Sequence, residues 1–368
     1  MTVKVVCCIA ILLSICGDIC CEDPPEPFEE PPVRWPEDFS EEKKWVEDFP
    51  NVEGASDEAH RHRRNNIPHD YALLIENSLR FYEAQRSGKL SDDNRIKWRG
   101  DSALGDVGDN GEDLTGGYYD AGDNLKFNLP MAYSTSVIGY SLMIWKDGYK
   151  AAAQYWKAMD MIKWACDYFI KCYDKTTNVY YYQVGNDHSE WQRPEDMQAP
   201  RPAYKCDTDH PGSDVAGATA AALATCAAVW KTRDPDYSTE CRSYAESLYE
   251  FAMTYRGTYP SMLYYMSTRF GDELAWAAGL LYLETENTTY LDDAEELYVN
   301  YTLYTRSYAF GWGDVREAVK VLLWRATNDE KYSSKVGKYL DPWMPGVRMR
   351  YTAGGMAYRH KWGSLRYS

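Results

Sequence analysis

Alternating β-branched runs are nearly absent from this chain, and their absence argues against a β-rich fold before any motif is weighed. No Gly-Lys-Ser/Thr phosphate loop, Gly-x-Ser-x-Gly turn or His-Glu-x-x-His helix motif occurs. Serine-nucleophile chemistry and zinc proteolysis therefore lack their sequence marks. No Cys-x-x-Cys or Cys/His spacing suggests zinc. Beyond the N-terminus, no apolar run reads as long enough to cross a bilayer. Positive charge is also scarce: 40 Lys and Arg face 56 Asp and Glu, for a formal net charge of -16. That balance argues against nucleic acid or an anionic membrane as a partner.

The 368 residues allow one large domain or two ordinary ones. Residues 1–21 hold one Lys and then an apolar run from Val5 to Ile15, too short to span a membrane. This pattern matches a secretory signal peptide and predicts a secreted, extracellular protein. Asn287-Thr288-Thr289 and Asn300-Tyr301-Thr302 fit glycosylation acceptors, in keeping with export. Residues 22–66 are Pro-rich and acidic, then briefly basic, and read as a disordered linker. The folded domain is expected over 67–368. It holds Cys166, Cys172, Cys206, Cys226 and Cys241; Cys206, in a loop, is the expected bridge member, with no partner readable.

From Asp70 onward the apolar residues recur at helical spacing, as in Met161, Trp164, Ala165, Tyr168 and Phe169. Nine helices are expected: 68–87, 131–147, 151–173, 213–231, 237–255, 272–284, 290–300, 314–327 and 331–341. Ser213 or Asp214 is placed to cap the fourth. The connections alternate long and short. If each helix reverses the last, every long connection emerges at one end, which is where sites usually sit.

Those long connections carry the informative residues. In Thr115-Gly-Gly-Tyr-Tyr-Asp120-Ala-Gly-Asp123, two carboxylates three residues apart can hold a water and take its proton, and the glycines let the backbone bend closely around them. Flat aromatic faces beside them suit sugar rings. Two solvated surface acids are the plainer alternative. A second loop carries His188, Trp191 and Arg193, fit to hold a sugar or to form local ion pairs with Glu195 or Asp196. A third carries Tyr264, Thr268, Asp272 and Glu273, whose adjacent acids either complement a helix dipole or bind Ca²⁺. The cluster Asp106, Asp109, Glu112 and Asp113 reads as a solvated acidic loop. Trp362 and Arg366 can stack on and hydrogen-bond a saccharide, or pair with each other.

Taken together, Phe81-Tyr-Glu-Ala-Gln-Arg-Ser-Gly-Lys89, Trp98-Arg-Gly-Asp-Ser-Ala-Leu104, Leu114 to Asp123, Arg193-Pro-Glu-Asp-Met197, Asp272-Glu-Leu274 and Trp362-Gly-Ser-Leu-Arg366 resemble glycoside hydrolase family 9, the inverting endo-β-1,4-glucanases. The resemblance runs from about Tyr71 to the end. It implies an all-α (α/α)6 toroid of inner and outer helices, here incomplete, with about nine of twelve helices. It implies β-1,4-glucan (cellulose or cello-oligosaccharides) as the partner and no cofactor for the chemistry. Asp123 would be the catalytic base and Asp120 its partner in holding the water. His188, Tyr264, Trp362 and Arg366 match cleft positions, and Thr268, Asp272 and Glu273 fall where the family binds a structural calcium. Departures occur at Met266, Arg269 and Gly313. The chain stops at Ser368, ahead of the family's general-acid Glu. Loss of such an acid costs about 10²–10⁴-fold. A truncated endoglucanase, weak or inactive as this chain, is therefore expected, with a non-catalytic glucan-binding protein as the alternative.

Overall fold

The computed structural model describes residues 70–186, 191–260, 264–343, 350–351 and 357–358. The expected signal peptide and linker lie outside the described residues, as do His188, Trp362 and Arg366. The described helices are α1 (Tyr71–Ala84), α2 (Asn128–Ile144), α3 (Lys146–Ala151), α4 (Tyr155–Cys172), α5 (Ser213–Trp230), α6 (Pro235–Thr254), α7 (Gly271–Thr285), α8 (Thr288–Asn300), α9 (Arg316–Thr327) and α10 (Glu330–Leu340). Short strands β1 (Lys126–Phe127), β2 (Tyr173–Asp174), β3 (Val179–Val184) and β4 (Ala203–Cys206) lie between them, and β5 (Arg350–Tyr351) pairs with β6 (Ala357–Tyr358).

Burial divides the helices into two kinds. Helices α2, α5, α7 and α9 are buried through consecutive residues, for example 213–227 of α5 and 317–323 of α9. Such helices have no solvent face. Helices α4, α6, α8 and α10 bury one stripe each, as Tyr332, Val336 and Tyr339 do on α10. The first kind pack in the order α2–α5–α7–α9, and the second lean against them from outside. This is the inner and outer helix arrangement of a toroid, described here in part. Small residues let the inner ring close up. A Cβ at Gly139 of α2 would strike Thr225 of α5, and one at Gly279 of α7 would strike Leu322 of α9. Trp276 reaches from α7 to α2, where its indole N–H donates to Ser136 Oγ at 3.1 Å and its ring meets Tyr140 edge-on at 5.4 Å.

Each inner helix starts where a long connection ends: 85–127, 173–212, 255–270 and 301–315. The N-terminal ends of the inner ring therefore share one end with the loops, as the spacing predicted. Positive helix dipoles there favour carboxylates.

Several local expectations need correction. Helix α2 begins at Asn128, ahead of Pro130, because a first-turn proline lacks only an N–H that has no helical acceptor anyway. Residues 146–151 form their own short helix after a break at Trp145. Neither Ser213 nor Asp214 caps α5. Ser213 Oγ instead donates to the carbonyls of Ala252 (2.9 Å) and Tyr255 (3.1 Å), closing the end of α6. Strand β3 was missed. It is central to a small sheet, with β4 on one edge and β1 and β2 on the other, and nearly every residue is buried. With both faces covered, Val-Tyr-Tyr-Tyr-Gln-Val shows no apolar–polar alternation. Cys206 lies in β4, fully buried with a free thiol directed at the Tyr180 carbonyl, 3.6 Å away. Helix α5 has the length and apolar composition to cross a membrane, contrary to the count made from sequence, but 89% of it is buried among its neighbours as a core helix.

Candidate active site

The segment 115–127 is a loop closed at its neck. The Tyr119 N–H donates to Gln85 O at 2.8 Å, and the Asp120 N–H donates to Leu125 O at 2.9 Å. Between them the chain turns through Asn124, whose φ of +61° is the left-handed region that Asn tolerates. Lys126 and Phe127 then enter the sheet opposite Val184 and Gln183. Asp120 and Asp123 are thus presented from one short, anchored loop. Asp123 is 3% exposed, and Asp120 is half-buried.

The anchor is a buried ion triad. Lys126 is fully buried, its Nζ 2.7 Å from Asp106 and donating to the carbonyls of Leu114 (2.6 Å) and Gly116 (3.1 Å). Arg201 grips the same carboxylate through Nε (2.5 Å) and Nη2 (3.1 Å). Its Nη1 donates to the Asn124 carbonyl at 2.7 Å, one residue beyond Asp123. Burial pushes the Lys126 ammonium down, and the Asp106 charge opposes that. The acidic loop expected in solvent is therefore a correction. Asp106 is 1% exposed, while Asp109 and Asp113 pair with Lys205 (2.6 Å) and Lys171 (2.9 Å).

Two further loops reach this one. Trp191 lies over Gly122, where a Cβ would sit 3.2 Å from its ring, and Asn124 Nδ2 donates to Gln192 O at 3.1 Å. Trp191 is 66% exposed beside this loop. From the 255–270 connection, Tyr265 O–H donates to Asp120 Oδ1 at 2.6 Å. Tyr265 adopts φ +53° and packs between Phe127 (5.1 Å) and Trp312 (4.9 Å). Burial and the Asp120 charge push its phenol far up, so it stays a donor. Tyr264, expected in the cleft, meets Phe127 edge-on at 6.1 Å. The 194–196 turn gives the plainer reading for Glu195. Arg99 Nε at 3.0 Å and the Gly100 N–H at 2.7 Å hold this carboxylate, and Arg193 lies 3.4 Å away. Burial raises the Glu195 carboxyl, but these donors outweigh it and leave it below the usual range.

The acids opening α7 are buried: Asp272 is 0% exposed and Glu273 2%. Asp272 Oδ2 accepts from the Val315 N–H at 2.9 Å. Asp272 Oδ1 and Glu273 Oε2, with Oδ2 of buried Asp214, have no hydrogen-bond partner among the described residues. Burial, then neighbouring carboxylates, push Asp272 and Glu273 up. Burial likewise pushes Asp214 up to about 6. Orphaned carboxylate oxygens suit a hard cation, so these residues fit a Ca²⁺ in donor type. Among the described residues no three acids, histidines or cysteines converge on one point, which leaves the rest of a shell to loop oxygens. Thr268 is exposed on that loop. Nearby Asp314 is taken by Arg316 (2.6 Å) and approached by Arg269 (3.8 Å).

Residues 71–368 match the family model described as "Glycosyl hydrolase family 9". The chain belongs to glycosyl hydrolase family 9. Endoglucanase A of Bacillus pumilus is 38% identical over 337 residues, covering 87% of this chain and 50% of that protein. Endoglucanase 17 of Oryza sativa subsp. japonica is 38% identical over 311 residues, covering 79% of this chain and 62% of that protein. Among solved structures, the endoglucanase of the termite Nasutitermes takasagoensis superposes with a TM-score of 0.76 at 43% identity, covering 80% of this chain and 69% of that one. The cellulase Cel9M of C. cellulolyticum, solved with cellobiose, gives 0.74 at 34% identity, covering 79% and 69%. The family 9 chain spans about half the length of the first curated relatives it matches.

Sequence reasoning gave no role at this candidate site to four residues. Lys126, Asp106 and Arg201 form the anchor, and Tyr265 takes the contact with Asp120. The one available signal was Arg201 between two prolines, a cation held in a rigid frame.

Proposed function

We propose that this family 9 protein is a secreted endo-β-1,4-glucanase that cleaves cellulose or a related β-glucan with inversion. Asp123 acts as the base on an attacking water, and Asp120 helps hold that water. One observation carries the reading: two aspartates share a loop closed at its neck, one fixed by the Tyr265 O–H, beside the exposed Trp191. The donor on Asp120 Oδ1 fixes that carboxylate's orientation and directs its other oxygen toward a water. Burial keeps bulk water from competing at Asp123. Inversion needs this base on one face of the sugar and an acid protonating the leaving oxygen on the other. Tyr264 and Trp191 supply apolar faces for glucose rings, with His188, Trp362 and Arg366 as further cleft residues. No cofactor is required for the chemistry. Asp272 and Glu273, with loop oxygens near Thr268, would hold a Ca²⁺ whose charge balances the buried acids and fixes the loop that carries Tyr265.

A second reading is glucan binding without cleavage. It is favoured because Asp106 and Glu195 each spend their oxygens on fixed protein donors. Calorimetric titration with cello-oligosaccharides, run with reducing-sugar release from carboxymethyl cellulose, decides between them. Binding with release that falls by about 10²–10⁴-fold in Asp123→Asn supports the enzyme. Binding without release supports the second reading. Neither heat nor a thermal shift sinks both.

A further inference from the structure

Three of the five described cysteines meet at one place in the core. Cys166 on α4, Cys226 on α5 and Cys241 on α6 are all 0% exposed. Cys166 Sγ donates to the carbonyl of Ala222, one turn before Cys226, at 3.7 Å. Cys226 Sγ donates to the Tyr237 hydroxyl, one turn before Cys241, at 3.8 Å. Each of the three thiols lies close enough to the others to perturb their ionisation. Helix α5 is lined by alanines from Ala216 to Ala227, which lets its neighbours approach closely. The other two cysteines stand apart: Cys206 faces the Tyr180 carbonyl, and Cys172 lies against Tyr168 and Asn128.

We propose that Cys226 is the hub of an exchangeable disulfide, closing on either Cys166 or Cys241 and leaving the third thiol poised to displace it. This inference is independent of the glucan reading. The oxidant is a low-molecular-weight disulfide, RSSR. One cluster thiol loses its proton and attacks RSSR, expelling RS⁻ and forming a mixed disulfide. A neighbouring thiolate attacks the protein sulfur of that adduct and expels the second RS⁻. Two protein thiols are oxidised to one disulfide, and RSSR is reduced to two RSH. The remaining thiolate can attack Cys226 Sγ, releasing its first partner, so the bridge migrates without net redox change. Burial suppresses the thiolate form of Cys166 and Cys226, so reaction occurs as the helices open.

The test uses the purified 368-residue chain. It is held with glutathione disulfide a few degrees below its unfolding midpoint, then blocked with N-ethylmaleimide in denaturant and peptide-mapped without reduction. The expected map has an intramolecular bridge containing Cys226, with Cys172 and Cys206 alkylated. Cys166→Ser and Cys241→Ser should each retain a bridge to the cysteine left, and Cys226→Ala should abolish bridging. Alkylation of Cys166, Cys226 and Cys241 alike, or a Cys166–Cys241 bridge in the unaltered chain, overturns the proposal. The map of the unaltered chain stands whether or not a variant folds.

Discussion

Asp106 and the Asp272–Glu273 pair are buried alike, yet their surroundings are opposite. Asp106 is gripped by two cations of its own chain, Lys126 and Arg201. Asp272 and Glu273 keep orphaned oxygens, and the nearest arginines, Arg269 and Arg316, are engaged with Asp314. The first arrangement completes itself and serves as a fixed base for the 120–125 loop. The second is short of positive charge, which the proposed Ca²⁺ would supply. Asp120 lies between them, carried by the first segment and touched by Tyr265 from the second.

The comparison breaks most visibly at Asp106. Asp106→Ala leaves Lys126 and Arg201 buried without their counter-charge and should cost about 3–5 kcal/mol in denaturant unfolding. A loss below about 1 kcal/mol would mean that water reaches the triad. Tyr265→Phe keeps the ring between Phe127 and Trp312 but removes the donor to Asp120. Any glucan hydrolysis should slow, its activation free energy raised by about 1.5–3 kcal/mol, with the unfolding midpoint little changed. An unchanged rate would detach the second segment from the chemistry. Calcium sharpens the contrast: at tenfold above its dissociation constant it should stabilise the protein by about 1.4 kcal/mol, an effect lost in Asp272→Asn and kept in Lys205→Ala. Equal shifts in both variants would place the ion elsewhere. The smallest effect is expected at the rim. Trp191→Ala should weaken cello-oligosaccharide binding by about 0.5–1.5 kcal/mol in calorimetry without altering stability, since the ring is open to solvent.

Much of this was legible in the chain. The alternation of long and short connections gave the end at which the inner helices start, because helical periodicity is a local property. The Asp120–Asp123 loop stood out through its glycines and tyrosines. What stayed hidden depends on distance or on one dihedral angle. Arg201 reaches Asp106 across 95 positions, and nothing local to either marks the pairing. Tyr264 and Tyr265 are neighbours with the same side chain, and it is Tyr265, at φ +53°, that reaches Asp120. Strand β3 was lost because burial on both faces erases alternation. At Asp272 and Glu273 the sequence left dipole and metal open: the acids occupy the first turn of α7 and still have oxygens to spare.

The triad also sets a schedule for synthesis. Asp106 and Lys126 leave the ribosome well before Arg201, which arrives only after α4 and three strands have been made. Until then the Asn124 carbonyl waits for its donor, and the two aspartates beside it have no fixed posture. The 120–125 loop therefore gains its last anchor late, through a long-range contact added to its own neck hydrogen bond.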